Sequence, residues 1–312
     1  MYGANLHNDI LNSPGKGNTA NESTANKSTM DKSTSGQDTA NGSTAGEECL
    51  YEEIMRLSYS FNVLSVFIER TAEEDPFEAC KNRISGFRRI MEEKQGIRMV
   101  TCYKDLQAAF QNEAKAILFS IEDGFVLKGD VRKLEELYRL GLRMLTLTWN
   151  MPNEISNCGG ITRTGIEIVE KMEELHMLID ISHLPEKSCF DLIRHTKRPF
   201  LASHSNAKAL CANNQNLSDE IIRLLAGRGG VIGINPWAGY LKPGGTEFTW
   251  EDMMAHIVYL YRTGGEDCVA IGSDRLPLEE LQAELGRRGF TAGQIEKMCA
   301  GNVYRMMKEL QM

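Results

Sequence analysis

From Tyr51 onward the chain repeats one pattern, a short and mostly apolar run followed by an amphipathic stretch. The runs are 63–68, 98–102, 116–121, 143–148, 177–182, 200–203, 230–235 and 269–273. Several are apolar throughout rather than alternating, as strands buried on both faces must be. Between them, 76–93, 131–140, 164–175, 186–195, 218–227 and 250–263 carry apolar residues at helical spacing, with Ser218 placed to cap the fifth. Strand and helix in strict alternation call for a parallel α/β architecture. A further short strand near Asn5–Asn8 makes nine candidates, roughly the eight that close a barrel. The expected fold class is therefore α/β, a TIM-like (β/α)₈ barrel, and 312 residues hold one barrel of roughly 250 with some to spare. A doubly wound open sheet is the alternative, but no GxGxxG follows an early strand.

Residues 13–47 break the pattern. They repeat small polar words (TAN at 19, 24 and 39) and hold almost nothing apolar. Such a segment cannot bury enough surface to offset its ordering entropy, so it is expected to be disordered. The division that follows is 1–12, a first barrel strand; 13–47, a low-complexity insert; and 48–312, the rest of a single barrel. A formal net charge of −8 argues against a nucleic-acid partner. No apolar run is long enough to span a bilayer, and MYGANLHNDI lacks the basic and apolar regions of a signal peptide. The eight cysteines form no CxxC pair, which suits reduced thiols and a cytoplasmic protein.

Metal-ligating residue types fall at the ends of the apolar runs, where barrel enzymes keep their active sites. They are His7 and Asp9 in LHND, Glu122 in SIEDG, His183 in DISH, His204 in LASH and Asp274 in IGSD. His7 and Asp9, two apart, share a face on a strand. His183 and His204 each end a strand, with one helix between them. Each alone has a plainer explanation: a surface HxD, a Glu at a helix start, a His beside a cap. Five strand ends presenting ligand types together are harder to explain so. The set suits a pair of Zn²⁺-like ions bridged by Glu122, holding a hydroxide between them, with Asp274 as the proton shuttle. His176, His195 and His256 lie in or beside helices and are read as structural.

The strings LHNDIL, SIEDG, LTLTWN, IDISHLP, FLASHSNAKALC, NLSDEIIRLLAGRGGVIGIN and AIGSD resemble, in order, the motifs of the membrane (renal) dipeptidase family of zinc peptidases. The resemblance implies a (β/α)₈ barrel, two zinc ions, hydrolysis of dipeptides and frequent dimers. It gives His7 and Asp9 to one zinc, His183 and His204 to the other, Glu122 to both, and makes Asp274 the catalytic Asp. It also implies departures. Gln215 stands where the family carries an Arg for the substrate carboxylate, and an amide cannot make the bidentate charged pair of a guanidinium. Trp149 stands where some members have a His. After Asp274 the chain reads Arg275, Leu276, Pro277 and enters a helix instead of a long loop. The substrate expected is a dipeptide contacted by Gln215 and Trp149. The alternatives are another small amide or lactone, as in amidohydrolases (which usually show HxH on strand one), or a metal-binding relic. Neither end carries a lipid-anchor signal.

Overall fold

The expected strands close into a ring. In this computed structural model, which describes residues 3–8, 50–273 and 276–312, Ala4–Asn5 pairs with Phe61–Phe67, and that strand with Lys115–Glu122. The order continues through Leu142–Thr146 and Leu178–Asp180, every pair parallel. The next stave is only a pair of bridges, Asp180 to Leu201 and Ala202 to Ile232. Ile232–Ile234 then pairs with Val269–Ile271, and the Leu6 amide donates to the Ile271 carbonyl at 2.8 Å, closing the barrel. The expected run 98–102 is not a stave. It contributes Ile97–Met99, which pairs with the start of the 115–122 strand below the point where 142–146 joins that same edge. The insert 13–47 lies outside the described residues.

Outside the barrel, Pro76–Glu93 shows why the helices form where they do. Asp75 accepts from the Phe77 and Glu78 amides, proline opens the first turn, and Phe77, Cys80, Ile84 and Phe87 make one buried stripe. Val131–Arg139, Arg163–Glu174, Glu186–His195 and Trp250–Gly264 match their expected ranges closely. Asp219–Gly227 starts after Ser218 as expected, but the Ser218 side chain does not bond the helix amides. Tyr103–Gln111, Leu278–Arg287 and Asn302–Glu309 are further helices. No helix among the described residues is long and apolar enough to cross a membrane.

The two faces of the staves have different partners. Ile117, Phe119 and Ile121 join Ile84, Phe87 and the other helix residues in the outer core. Ala116 and Leu118 alternate with them and pack with Ala4, Leu6, Phe61, Val63, Met144, Leu178 and Leu201 in a second cluster, shared with Val303 and Met306 of the last helix. Alternation carries that inner face upward to Ser65, Ser120, Glu122, Thr146, Asp180 and Ser203, all buried. The barrel interior is thus apolar at its base and polar toward the C-terminal ends of its strands.

Candidate metal centre

Glu122 ends its strand between Phe67 and Thr146 of the neighbouring staves, facing the polar layer. The next residue, Asp123, turns the backbone into the left-handed region at φ 79. That conformation is costly for a side-chain-bearing residue and persists only where surroundings enforce it. Here they do. Asp123 Oδ1 accepts from the Phe125 amide at 3.2 Å and Asn153 Nδ2 at 2.8 Å, and Oδ2 accepts from Arg70 Nε at 3.1 Å and Nη2 at 2.8 Å. His183 also sits at positive φ, 64.

His183, His204 and Glu122 converge. His183 Nε2 is 3.0 Å from Glu122 Oε1 and 2.9 Å from His204 Nε2, and His204 Nε2 is 3.5 Å from the same oxygen. The His7 ring lies 3.9 Å from the His204 ring, and His7, Glu122 and His204 place ligand atoms within 4.8 Å of one another. All are largely buried. Burial, with His7 and His183 close by, holds His204 well below the usual histidine range, so it is a neutral imidazole. His183 Nδ1 is 3.0 Å from Asn150 Oδ1 and His204 Nδ1 is 2.8 Å from Ser203 Oγ, so each ring has its far nitrogen engaged and its Nε2 turned inward. Two such nitrogens and a carboxylate oxygen around one point suit a cation.

The sequence-derived set is brought together at His7, Glu122, His183 and His204. Asp9 and Asp274 lie outside the described residues. Trp149 stands beside the centre, its ring 6.3 Å from His183 and 5.0 Å from Phe67. Gln215 is buried, and its side-chain Nε2 has no partner among the described residues. His256 is structural as expected: Nδ1 accepts from the Ala207 amide at 3.1 Å and Nε2 donates to the Leu241 carbonyl at 2.8 Å.

Four participants escaped the sequence reading. Arg70 and Asn153 brace Asp123, and Asp180 and Ser203 lie behind His204. Asp180 had a signal: a charged residue inside an apolar strand needs partners. A fifth is Tyr240, whose phenol is pushed above its ordinary value by burial and then by the negative charge of Glu122.

A parallel barrel with imidazoles and a carboxylate at its strand ends defines a metallohydrolase of the barrel type. The family model for membrane dipeptidase (peptidase family M19) matches residues 25–312, and the chain belongs to that family of metallopeptidases. A Klebsiella pneumoniae protein from the pqqA 5′ region is 29% identical over 264 residues, 76% of this chain and 97% of its own. Rat dipeptidase 3 is 26% identical over 269 residues, 78% of this chain, which thus spans about half (54%) of that relative. In fold, the chain is similar to a Rhodobacter sphaeroides metallopeptidase crystallised with a phosphinate mimic of the dipeptide L-Ala-D-Ala. The TM-score is 0.79 at 19% identity, over 99% of each chain.

Proposed function

We propose that this chain hydrolyses dipeptides with two zinc ions held at the top of the barrel. The observation that carries the reading is the inward convergence of His183 Nε2, His204 Nε2 and Glu122 Oε1. His183 and His204 would hold one ion, His7 and Asp9 the other, and Glu122 both; the place of Asp9 rests on its HxD spacing alone. When bound, the metal pair supplies Lewis acidity that polarises the scissile carbonyl and an acidified water as nucleophile. The buried imidazole of His204, kept neutral by its surroundings, offers a lone pair without first losing a proton. Asp274 would take the proton from the attacking water and pass it to the leaving amine. Trp149 would pack on the substrate beside His183, and Gln215 Nε2, without a partner among the described residues, would donate to it. The dipeptide mimic bound by the Rhodobacter protein supports a dipeptide here.

The neutral amide of Gln215 favours a second reading, a substrate whose carboxylate is blocked as an amide or ester. Residence in the cytoplasm is supported by seven unbonded cysteines among the described residues, and a homodimer by the family's habit alone. The test is metal content by mass spectrometry with a zinc-supplemented assay on L,L and L,D dipeptides and their C-terminal amides. About two zinc per chain with dipeptide cleavage upholds the proposal. Zinc with cleavage of amides only moves it to the second reading, and a metal-free, inert protein ends both.

A further inference from the structure

We propose that Asp180 is a positioning residue which, through the Ser203 hydroxyl, fixes the proton of His204 on Nδ1 and so reserves Nε2 for metal. The inference rests on the zinc reading of the site above. Asp180 is fully buried and four donors converge on its two oxygens. Oδ1 accepts from the Ser203 amide at 2.8 Å and the Ser182 amide at 3.0 Å. Oδ2 accepts from Thr146 Oγ1 and from Ser203 Oγ, each at 2.6 Å. Ser203 has one hydroxyl proton, and a carboxylate oxygen can only accept it. The same Oγ lies 2.8 Å from His204 Nδ1, so with its own proton spent on Asp180 it must accept there. His204 therefore donates from Nδ1, and its Nε2 faces Glu122 and His183 as a bare lone pair. The reverse arrangement needs a proton on Oδ2, where Thr146 already donates. The backbone holds the relay in register. Ser182 Oγ accepts from the His204 amide at 3.1 Å, and the Asp180 strand bridges directly to Leu201. His183 meets the same requirement differently, through Asn150. Asp180 is thus dedicated to one of the two imidazoles.

The decisive variant is Asp180→Asn. Two backbone amides hold the Asn oxygen at the Oδ1 position, which puts its NH₂ where Oδ2 was. That group donates to Ser203 Oγ, the Ser203 proton turns to His204 Nδ1, and the His204 proton moves to Nε2, where it blocks metal. With only six histidines in the chain, selective ¹⁵N-histidine labelling of the whole metal-free protein reads the tautomer of His204 directly. Zinc affinity is measured in parallel by competition with a chelator. The expected result is an Nδ1–H ring in the wild type, an Nε2–H ring in D180N, and zinc bound about 10–100-fold more weakly by the variant. Ser203→Ala leaves the two backbone bonds of Asp180 in place, so it serves if D180N fails to fold, and it is expected to weaken zinc binding similarly. An Nε2–H ring in the wild type, or unchanged zinc affinity in the folded variants, would overturn the inference while leaving the zinc reading standing. A wild type with His204 on Nδ1 that takes up no zinc would overturn the zinc reading and uphold the proton placement.

Discussion

His183 and His204 meet Nε2 to Nε2 across 2.9 Å, with Glu122 Oε1 3.0 Å from the first and 3.5 Å from the second. Both rings have their Nδ1 engaged elsewhere, so two lone pairs are held against each other by the fold. A cation relieves that repulsion in the folded state alone. Zinc at a hundredfold excess over Kd is expected to add about 2.7 kcal/mol, roughly 4–5 °C in Tm for a chain of this size. Thermal melts of EDTA-treated protein with and without added zinc check this, and His204→Ala should lose most of the shift. Equal melting temperatures with and without zinc would refute it.

Gly233 packs backbone to backbone against the residue that precedes His204. A Cβ there would lie 1.9 Å from the Ser203 carbonyl oxygen, and one on Gly272 would lie 1.8 Å from the same atom. The Gly233 carbonyl meanwhile accepts from the Ser205 amide at 2.8 Å. Both contacts are backbone, so no side chain can swing aside. Gly233→Ala should push the His204 strand outward, costing about 1–3 kcal/mol and weakening zinc binding together. Urea unfolding and a chelator competition on the same sample test it, and a variant with wild-type values in both would show that the wall can give.

Arg70 braces the turn that follows Glu122. Its guanidinium meets the buried Asp123 carboxylate through Nε and Nη2 while Nη1 donates to the Pro152 carbonyl at 2.8 Å. Arg70 keeps 26% of its side chain exposed, so the pair is partly screened. Arg70→Met retains the apolar stem but leaves Asp123 Oδ2 without its donors, at a cost of about 1–3 kcal/mol. Because Asp123 holds positive φ next to a proposed ligand, zinc affinity should fall as well. Loss of stability with zinc binding intact would confine Arg70 to the scaffold.

The barrel was legible because its staves are buried on both sides and its helices on one, so period and length separate them. The strand ends carrying Glu122, His183 and His204 followed from that frame. The run 98–102 misled because a short apolar stretch reads alike whether it lines the ring or, like Ile97–Met99, adds to one stave's edge. The run 200–203 was legible as a strand, but not that Leu201 and Ala202 join their neighbours by single bridges, which no sequence pattern encodes. The support of the site was legible only in part. Asp180 announces itself as a charge in an apolar strand, but its partners, Thr146 and Ser203, come from two other staves. Arg70 and Asp123, 53 residues apart, are joined by the pairing of the neighbouring strands Phe61–Phe67 and Lys115–Glu122.

His256 ties the helix Trp250–Gly264 to the loop that follows His204, and it does so only as a neutral ring. Protonation of Nδ1 would end its acceptance from the Ala207 amide. Burial lowers its pKa from 6.5, against smaller opposing contributions from the Leu241 carbonyl and Asp252. Above about pH 6.5 the ring is neutral folded or unfolded, and stability is at its full value. Below it the unfolded chain takes up the proton first, so stability declines with acid until the depressed folded-state value is reached. The slope from this one group approaches 1.36 kcal/mol per pH unit. His256→Gln keeps one donor and one acceptor but cannot titrate. Urea unfolding of both proteins from pH 8 to pH 5 should therefore show the wild type losing stability faster than the variant below pH 6.5. Parallel curves would assign the acid sensitivity to other groups.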